Sequence, residues 1–373
     1  MAYSENNLWY YQPNKAAPIA FMILFLISGI CHFYQTQRYH SWRYTLLMPW
    51  AALLFVGGFA VREAGAYNTG NLNLVIATNA LIMSGPPVYA AIDYLVLSRI
   101  MFYLPYLAPM HPGRVITTFL GLDAIIEALI VNGAVRLSNS SLPASTRETG
   151  ATLVKVSLIA QALMFLVFIA LCILFQLRGK RAGVLNPRLD TVFWTLYASA
   201  TLITTRCIYR IVEFFQGWDG EINTHEPYFW VFEASIMLLN TCVFNLWHPG
   251  QRLPRSNSVY LSPDGQTELQ GLGWEDDRPF LVSMFDPFDL WGLIRGKDKE
   301  TAFWNMSQEE IIRRRAERKA NKRRWYLNLL DPFKLAGPNG YVARWRGKAG
   351  TGRSGSVAES TVVNEAHTAK GVA

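Results

Sequence analysis

The sequence predicts an all-α polytopic membrane protein with seven transmembrane helices, an external N-terminus and a largely irregular basic tail in the cytosol. Apolar residues make up 51% of the 373 residues and charged residues only 17%, whereas soluble domains average about 25% charged residues. The charge is also uneven, because residues 1–250 contain 27 charged residues and the much shorter stretch 251–373 contains 35. We therefore expect a transmembrane domain at 1–250 and a cytosolic tail at 251–373. This division excludes a soluble enzyme domain, a secreted disulfide scaffold and a nucleic-acid-binding protein.

Seven stretches are long and apolar enough to cross a bilayer, which requires about 20 residues per helix. They are residues 17–35, 44–62, 72–97, 115–135, 152–175, 191–212 and 228–247. The first is not a cleaved signal peptide, because only Lys15 precedes it and no small-residue cleavage site follows.

The loops indicate the orientation of these spans. Lysine and arginine concentrate in the loops 36–43, 98–114 and 176–190, and basic loops remain on the cytosolic side. The loop 213–227 is purely acidic and belongs to the outer side. The sequon at Asn139 then lies outside and is a candidate glycosylation site.

No sequence motif indicates an enzyme, a metal or another cofactor. Nucleotide-binding and catalytic motifs are absent, so ATP is not the expected energy source. The four cysteines lie inside predicted spans with neither disulfide nor zinc spacing, and we expect them to be small packing residues. His32 and His248 are expected to lie alone at the inner helix ends.

The sixth predicted span carries a charged stripe. Arg206, Arg210 and Glu213 follow at i, i+4 and i+7 and therefore share one helix face. Glu233 in the seventh span and Arg62 at the end of the second are predicted to lie at the same level. A charge at membrane depth costs at least ~2.5–3.5 kcal/mol, so each needs a partner or a task. Two interpretations remain open: an ion-pair network that fixes helix register, or a site for the headgroup of an amphiphile.

Carboxylates also occur in the third and fourth spans. Asp123 and Glu127 form an i, i+4 pair, and Asp93 lies toward the inner end of the third span. Buried carboxylates are either protonated or paired with a cation. A proton relay, a contact with a cationic substrate and interhelical hydrogen bonding are all compatible with this pattern.

The third span contains Gly85-Pro86-Pro87 near its middle, where proline removes a backbone donor and predicts a kink or a break. Broken membrane helices often mark the binding site of a transporter. A kink that serves only packing is the alternative.

One family resemblance rests on the region 206–250. It contains the run Arg206-Cys207-Ile208-Tyr209-Arg210-Ile211-Val212-Glu213, then Gly217, Gly220, His225-Glu226-Pro227-Tyr228 and His248-Pro249-Gly250. Further matches are Tyr11-Gln12-Pro13, Glu63, Gly65, Tyr67, Gly85-Pro86, Ala90-Ala91, Tyr94, Asp123, Gly133 and Gln161. In these positions the chain resembles the fungal lipid-translocating exporter family, whose seven-span members are known for resistance to 7-aminocholesterol.

The resemblance implies movement of sphingoid long-chain bases, sterol-like toxicants or haem-type amphiphiles at the plasma membrane or an endomembrane. The positions that carry over as signature residues are Arg206, Tyr209, Arg210, Glu213, Glu226 and His248. The family usually has Asp at the position of Glu233 and Gln at the position of Ile130. This chain instead carries a carboxylate, Glu127, about one turn before Ile130. The identity of the substrate is therefore not transferred.

The tail contains one basic helix, predicted at about 307–327 because Ser307 and Glu310 form a capping box. Its basic residues include Arg313, Arg314, Arg318 and Lys322. They suit an anionic cytoplasmic leaflet, although a solvated charged helix is the alternative. The end of the tail has the composition of a disordered segment.

Two tripeptides in the tail, Asp286-Pro287-Phe288 and Asp331-Pro332-Phe333, are similar to ligands of endocytic clathrin adaptors. Asp-Pro is also a common start of a turn.

The leading hypothesis is an ATP-independent transporter of lipid-like amphiphiles in the plasma membrane. A cationic headgroup would pass between a broken third span at Pro86 and the polar faces of spans four, six and seven. It would meet Glu213, Glu233 and Glu127, while Arg206 and Arg210 orient these carboxylates, with Tyr209 and Asp123 nearby. The alternative is a seven-span receptor that signals through its tail.

Overall fold

The computed structural model describes residues 8–9, 11–138, 142–217, 220–272, 286, 304 and 306–320. Within these residues the chain is mostly helical. The helices are α1 (Ala17–Tyr39), α2 (Trp42–Thr45), α3 (Leu47–Tyr67), α4 (Leu72–Tyr103), α5 (Pro112–Ser138), α6 (Ala144–Arg181), α7 (Pro187–Gln216), α8 (Glu221–Thr224), α9 (Glu226–Phe229), α10 (Ile236–Leu246) and α11 (Gln308–Ala320). A π-helical segment, Trp230–Ser235, joins α9 to α10.

Six helical segments among the described residues are long and apolar enough to cross a membrane. They are α1, α3, α4, α5, α6 and the segment Glu226–Gln251, which correspond to the predicted spans one to five and seven. The predicted sixth span lies in α7, which has 30 residues but is less apolar because it carries charged residues at both ends. The fold of an integral membrane protein is confirmed, and the count of seven spans stays a prediction.

Specific residues set the limits of these helices. The side chains of Asn71 and Asn186 cap the first turns of α4 and α7 by accepting backbone N–H groups, which satisfies donors that a helix start leaves unpaired. Gly217 ends α7 with φ +79°, a conformation that glycine adopts without steric cost.

Close helix contacts depend on glycine. A Cβ at Gly85 of α4 would lie 2.3 Å from the ring of Phe55 on α3. Gly133 of α5 and Gly150 of α6 face each other, since a Cβ on either would lie 2.7 Å from the carbonyl oxygen of the other. Small residues at such contacts let the backbones of membrane helices approach closely.

The predicted break in the third span is wrong. Helix α4 runs without interruption for 32 residues through Pro86 and Pro87. Neighbouring helices stabilise proline inside a membrane helix, and here the ring of Phe55 packs against Gly85, immediately before the two prolines. The Gly-Pro-Pro sequence therefore serves the contact between α3 and α4.

The first part of the tail is folded against the bundle. Strands β1 (Val259–Leu261) and β2 (Glu268–Gln270) pair as an antiparallel hairpin. The turn contains Asp264, whose carboxylate accepts the backbone N–H groups of Gln266 and Thr267; these bonds hold the pKa of Asp264 below its usual value.

This hairpin contacts the end of α4 and the loop that follows it. The hydroxyl of Tyr103 donates to Glu268 at 2.8 Å, and that of Tyr106 donates to the carbonyl of Ser262 at 3.1 Å. Burial and the nearby Asp264 raise the pKa of Tyr106 to about 12. The first part of the predicted tail therefore contains a hairpin that is docked on the bundle.

The predicted basic helix is present as α11. The backbone N–H of Glu310 donates to the hydroxyl of Ser307 at 3.3 Å, as the capping box predicts. Ile311 is 1% exposed, and Arg315 donates to Gln270 of the hairpin. Other predictions fall on residues outside those described, namely Asn139, Pro287-Phe288, Lys322, Asp331-Pro332-Phe333 and the disordered end.

Candidate functional site

The charged stripe of α7 meets the π-helical segment at Glu233. Arg206 Nε donates to Glu233 Oε1 at 2.7 Å, and Arg210 Nε donates to Glu233 Oε2 at 2.8 Å. A second nitrogen of Arg210 donates to Glu213 at 2.6 Å. The prediction that the charged residues of α7 share one helix face is therefore confirmed. Together with Glu233 they form a connected cluster of two arginines and two glutamates.

The members of this cluster differ in exposure. The side chain of Glu233 is 0% exposed, whereas that of Glu213 is 13% exposed. Both oxygens of Glu233 are taken by arginines, so Glu233 fixes the two guanidinium groups. Glu213 is the carboxylate in the cluster that an incoming molecule reaches with the least rearrangement.

Helix α4 reaches the cluster through a residue that the sequence did not single out. Arg206 Nη2 lies 3.4 Å from the sulfur of Met83, one turn before Pro86. A thioether is a weak acceptor, and no sequence pattern marks it as a partner. The contribution of Pro86 to the site stays a prediction, and Met83 is the residue of α4 that contacts Arg206.

Aromatic rings lie beside the cluster. Tyr209 is buried and stacks on Phe232 with ring centroids 5.6 Å apart, and Phe232 in turn stacks on Tyr228 at 6.5 Å. The guanidinium of Arg210 lies 5.5 Å from the ring of Tyr209. Such rings attract cations through their negative faces, so this edge of the cluster favours a cationic group.

Arg62 forms a separate cluster instead of joining Glu233. It pairs with Glu226 at 2.9 Å and donates to the hydroxyl of Tyr11 at 2.8 Å. Its guanidinium also lies 4.1 Å from the ring of Phe229 and 4.9 Å from that of Trp230. The sequence predicted no particular partner for Arg62, and Glu226 takes that place because it begins α9 close to the end of α3.

The segment before α1 takes part in this second cluster. Asn14 donates its backbone N–H to Glu226 at 2.8 Å, and the Trp9 ring lies 4.8 Å from the Arg62 guanidinium. Burial raises the pKa of Tyr11, although the charge of Arg62 opposes the shift. The neutral phenol therefore serves as the hydrogen-bond acceptor for Arg62 at physiological pH.

The predicted acidic pair of α5 faces α6. Gln161 Nε2 donates to Glu127 at 3.1 Å. The amide oxygen of Gln161, Oε1, lies 3.9 Å from the sulfur of Cys207 on α7. Arg206 is close enough to Glu127 for the two charges to interact. Glu127 thus belongs to the edge of the arginine cluster, as expected for the fourth span.

Asp93 and Asp123 have no cationic partner among the described residues. Asp93 is 0% exposed and accepts a hydrogen bond from the hydroxyl of Ser199 at 2.8 Å. Asp123 is 2% exposed. One oxygen of each carboxyl group lacks a hydrogen-bond partner.

The expectation that His32 and His248 lie alone is wrong. Their ring centroids are 6.3 Å apart, and both residues are buried. His32 shares a hydrogen bond with Thr241 at 2.9 Å, and Thr241 shares another with Ser28 at 2.7 Å. The packing of α1 against α10 brings these residues together, which the sequence separation concealed. Among the described residues no three His, Cys, Asp or Glu side chains are grouped to hold a metal ion.

The apolar helices and the charges enclosed between them define a helical integral membrane protein with a buried ionic site. The chain belongs to the family described as RTA1 like protein, whose model matches residues 48–256. This confirms the resemblance that the region 206–250 carries.

Three curated relatives show how the similarity is distributed. The lipid-translocating exporter-like protein RTA1 of Leptosphaeria maculans is 38% identical over 79% of this chain, and the chain spans 60% of its length. The protein of the same name from Ajellomyces capsulatus is 33% identical over 69% of this chain and 85% of its own. The sphingoid long-chain base transporter RSB1 of Saccharomyces cerevisiae is 40% identical over 24% of each chain. The names of these relatives describe transporters or exporters. No solved structure matches the chain.

Proposed function

We propose that this protein moves lipid-like amphiphiles with an amine headgroup, such as sphingoid long-chain bases, between leaflets or out of the cell without ATP. The names of the relatives support this class of cargo. We further propose seven spans including α7, an external N-terminus, a cytosolic C-terminus and residence in the plasma membrane. Resistance to sterol-like toxicants, or movement of haem-like compounds, would follow from the same activity.

The observation that carries the proposal is the position of Glu213. It closes a cluster in which Arg206 and Arg210 already saturate Glu233, and it remains partly exposed. Because Tyr209 stacks beside it, a primary ammonium group would find a carboxylate and an aromatic face together. Burial strengthens both interactions relative to water.

The lipid-facing surface of α7 provides a place for the hydrocarbon chain. Ile208, Val212 and Phe215 follow at i, i+4 and i+7 and are 54%, 40% and 55% exposed. This stripe runs along the same helix turns as Arg210 and Glu213. An amphiphile could therefore keep its chain in lipid while its headgroup engages Glu213, which is the arrangement that translocation requires.

The basic helix α11 has a proposed role in placing the tail at the membrane. Arg313 is exposed, with 72% of its side chain accessible, and Ile312 beside it is 66% exposed. Basic residues near an anionic leaflet contribute about 1 kcal/mol each. We propose that Arg313, Arg314, Arg318 and Lys322 bind anionic lipid. The Asp-Pro-Phe sequences are proposed contacts for an endocytic adaptor.

The experiment that tests the transport proposal is release of labelled sphinganine from fungal cells that lack or overproduce this protein. Overproduction should speed release, and Glu213→Gln should abolish the gain while the protein stays at the cell surface. Glu148→Gln is the matched control, because Glu148 is an exposed carboxylate on α6, outside the cluster. Normal release by Glu213→Gln would contradict the role of Glu213. Unchanged release by the overproduced native protein would remove sphingoid bases as cargo and favour the receptor alternative.

A further inference from the structure

Asp93 and Asp123 are buried carboxyl groups that the proposed headgroup site does not use. Neither makes an ion pair with another described residue. An uncompensated carboxylate inside a membrane protein is costly, so each group is more stable in its neutral, protonated form. Each also retains one oxygen without a hydrogen-bond partner, which gives it an open position for a proton.

The two carboxyl groups lie at the same depth. Asp93 is ten residues before the end of α4 at Tyr103, and Asp123 is eleven residues after the start of α5 at Pro112. At about 1.5 Å per residue, both are about 15–17 Å from the helix ends that the loop 104–111 joins. That distance is near the middle of a hydrocarbon core about 30 Å thick.

A buried hydroxyl lies in the neighbourhood of both aspartates. Tyr94 is 0% exposed, its hydroxyl has no hydrogen-bond partner among the described residues, and it lies within electrostatic range of both Asp123 and Asp93. Its ring is held by Phe119 and Phe168, with centroids 5.2 and 5.3 Å away. The phenol is thus fixed in the acidic cluster and can both donate and accept a proton.

Polar side chains lead from Asp93 toward the loop between α6 and α7. Cys172 lies within electrostatic range of Asp93 and of Tyr197. The hydroxyl of Tyr197 donates to Gln176 at 2.8 Å, and Gln176 donates to Asp190 at 2.6 Å. Asp190 lines an open cleft of about 300 Å³ at the end of α7. The hydrogen-bonded chain from Tyr197 through Gln176 to Asp190 therefore reaches the cleft, and Cys172 is near both Tyr197 and Asp93.

On the opposite side, Asp123 faces the headgroup site. Glu127 lies one turn along α5, and Gln161 of α6 reaches both carboxyl groups. Cys207 of α7 is also within range of Asp123. Beyond Glu127 stands Arg206, which is shared with Glu233. The charge on Glu127 therefore acts on the guanidinium that holds the headgroup site together, and the charge on Asp123 acts on Glu127.

We propose that Asp93, Tyr94 and Asp123 form a proton-binding site that couples movement of the amphiphile to movement of protons, an inference that rests on the proposed function. A proton adds to a carboxylate oxygen of Asp123 or Asp93 and forms an O–H bond. It passes between them through the Tyr94 hydroxyl, which gives up its own proton as it accepts another, and it leaves along Tyr197 toward Asp190. No oxidant or reductant is involved.

Arg206 transmits the proton's effect. With Glu127 and Asp123 deprotonated, Arg206 is drawn toward α5 and holds Glu233 less strongly. With them protonated, Arg206 binds Glu233 fully, and the Arg210–Glu213 contact is fixed. Proton binding thus changes how strongly Arg210 binds Glu213. A more weakly bound Glu213 is more available to an ammonium headgroup.

The test uses the full chain in vesicles that contain a trapped pH-sensitive dye, with valinomycin and a potassium gradient to drive protons inward. Sphinganine is the probe. We expect internal acidification with sphinganine to be faster than in protein-free vesicles, and Asp93→Asn and Asp123→Asn to lose the gain. Glu148→Gln should keep it. Labelled sphinganine is followed in the same vesicles by extraction from the outer leaflet.

The outcomes separate the two proposals. Sphinganine transfer by the native protein without protein-dependent acidification would overturn the proton site and leave the proposed function standing. Acidification without sphinganine transfer would overturn the coupling between protons and the amphiphile, and it would also remove sphinganine as cargo. If transfer of sphinganine depended on a Na⁺ gradient and not on the proton-driving potential, the proton assignment would also be overturned. Because the native protein is measured first, a variant that fails to fold does not decide the result.

Discussion

Glu233 and Asp93 are both fully buried in the helical bundle, yet their surroundings are opposite. Glu233 receives hydrogen bonds from two arginines, at 2.7 and 2.8 Å, whereas Asp93 receives one from the neutral hydroxyl of Ser199. Burial raises the free-energy cost of a negative charge on both carboxylates. The difference teaches that partners, and not depth, decide which buried acid stays ionised.

The same comparison separates two tasks within one bundle. The ionised group at Glu233 fixes the arginines that orient Glu213, so its role is architectural. Asp93 and Asp123 each keep one oxygen that no described residue hydrogen-bonds, and our proposal is that these two groups change their protonation. The predictions below alter one region at a time, in order of decreasing effect.

The largest effect is expected when Glu233 is neutralised. Glu233→Gln removes the carboxylate that forms the ion pair with Arg206, and breaking a buried pair in this way costs about 3–5 kcal/mol. Thermal unfolding of the purified protein in detergent should show a lowered midpoint. Glu148→Gln serves as the control and should leave the midpoint unchanged. If Glu233→Gln unfolded at the native temperature, the ion pairs would not be what holds this region.

A smaller effect is expected at the contact that positions α4, which carries Met83 and Asp93. Gly85→Ala forces a methyl group against the ring of Phe55 and should cost about 1–3 kcal/mol by overpacking. The matched control is Gly57→Ala, where the nearest atom would lie at 3.7 Å. The second variant Gly85→Ala with Phe55→Leu should recover part of the loss. An equal response of the Gly57 and Gly85 variants would refute this packing role.

The smallest effect on stability is expected at Asp93. Asp93→Asn keeps an oxygen to accept from Ser199 and removes no ion pair, so the free energy of unfolding should change by about 1 kcal/mol or less. The measurement is the same unfolding curve that is used for Glu233→Gln. A loss as large as that of Glu233→Gln would mean that Asp93 is ionised and stabilised by its surroundings.

The sequence predicted the parts of this molecule that depend on local periodicity. The spacing of Arg206, Arg210 and Glu213 fixes their common face in any α-helix, so the stripe was predictable. Apolar length likewise predicted seven spans, and six of them match helical segments that are long and apolar enough to cross a membrane. The capping box at Ser307 predicted the start of α11.

Partners across the bundle were not predictable in the same way. Arg62 pairs with Glu226 and not with Glu233, because the choice depends on how the short helix α9 enters the bundle. His32 meets His248 although they are 216 positions apart in the chain, a separation for which no spacing rule exists. The hairpin was not predicted, although its sequence contains a signal for it. Asp264-Gly265 between two short runs with apolar residues is a typical hairpin turn.

Infrared difference spectroscopy of the native protein tests the central comparison most directly. At neutral pH, we predict a carbonyl band of a protonated carboxylic acid that weakens in Asp93→Asn and in Asp123→Asn and is unchanged in Glu233→Gln. This result would show neutral acids at Asp93 and Asp123 beside an ionised Glu233. A band that persists in both aspartate variants, or one that disappears in Glu233→Gln, would contradict the assignment of charge in the two regions.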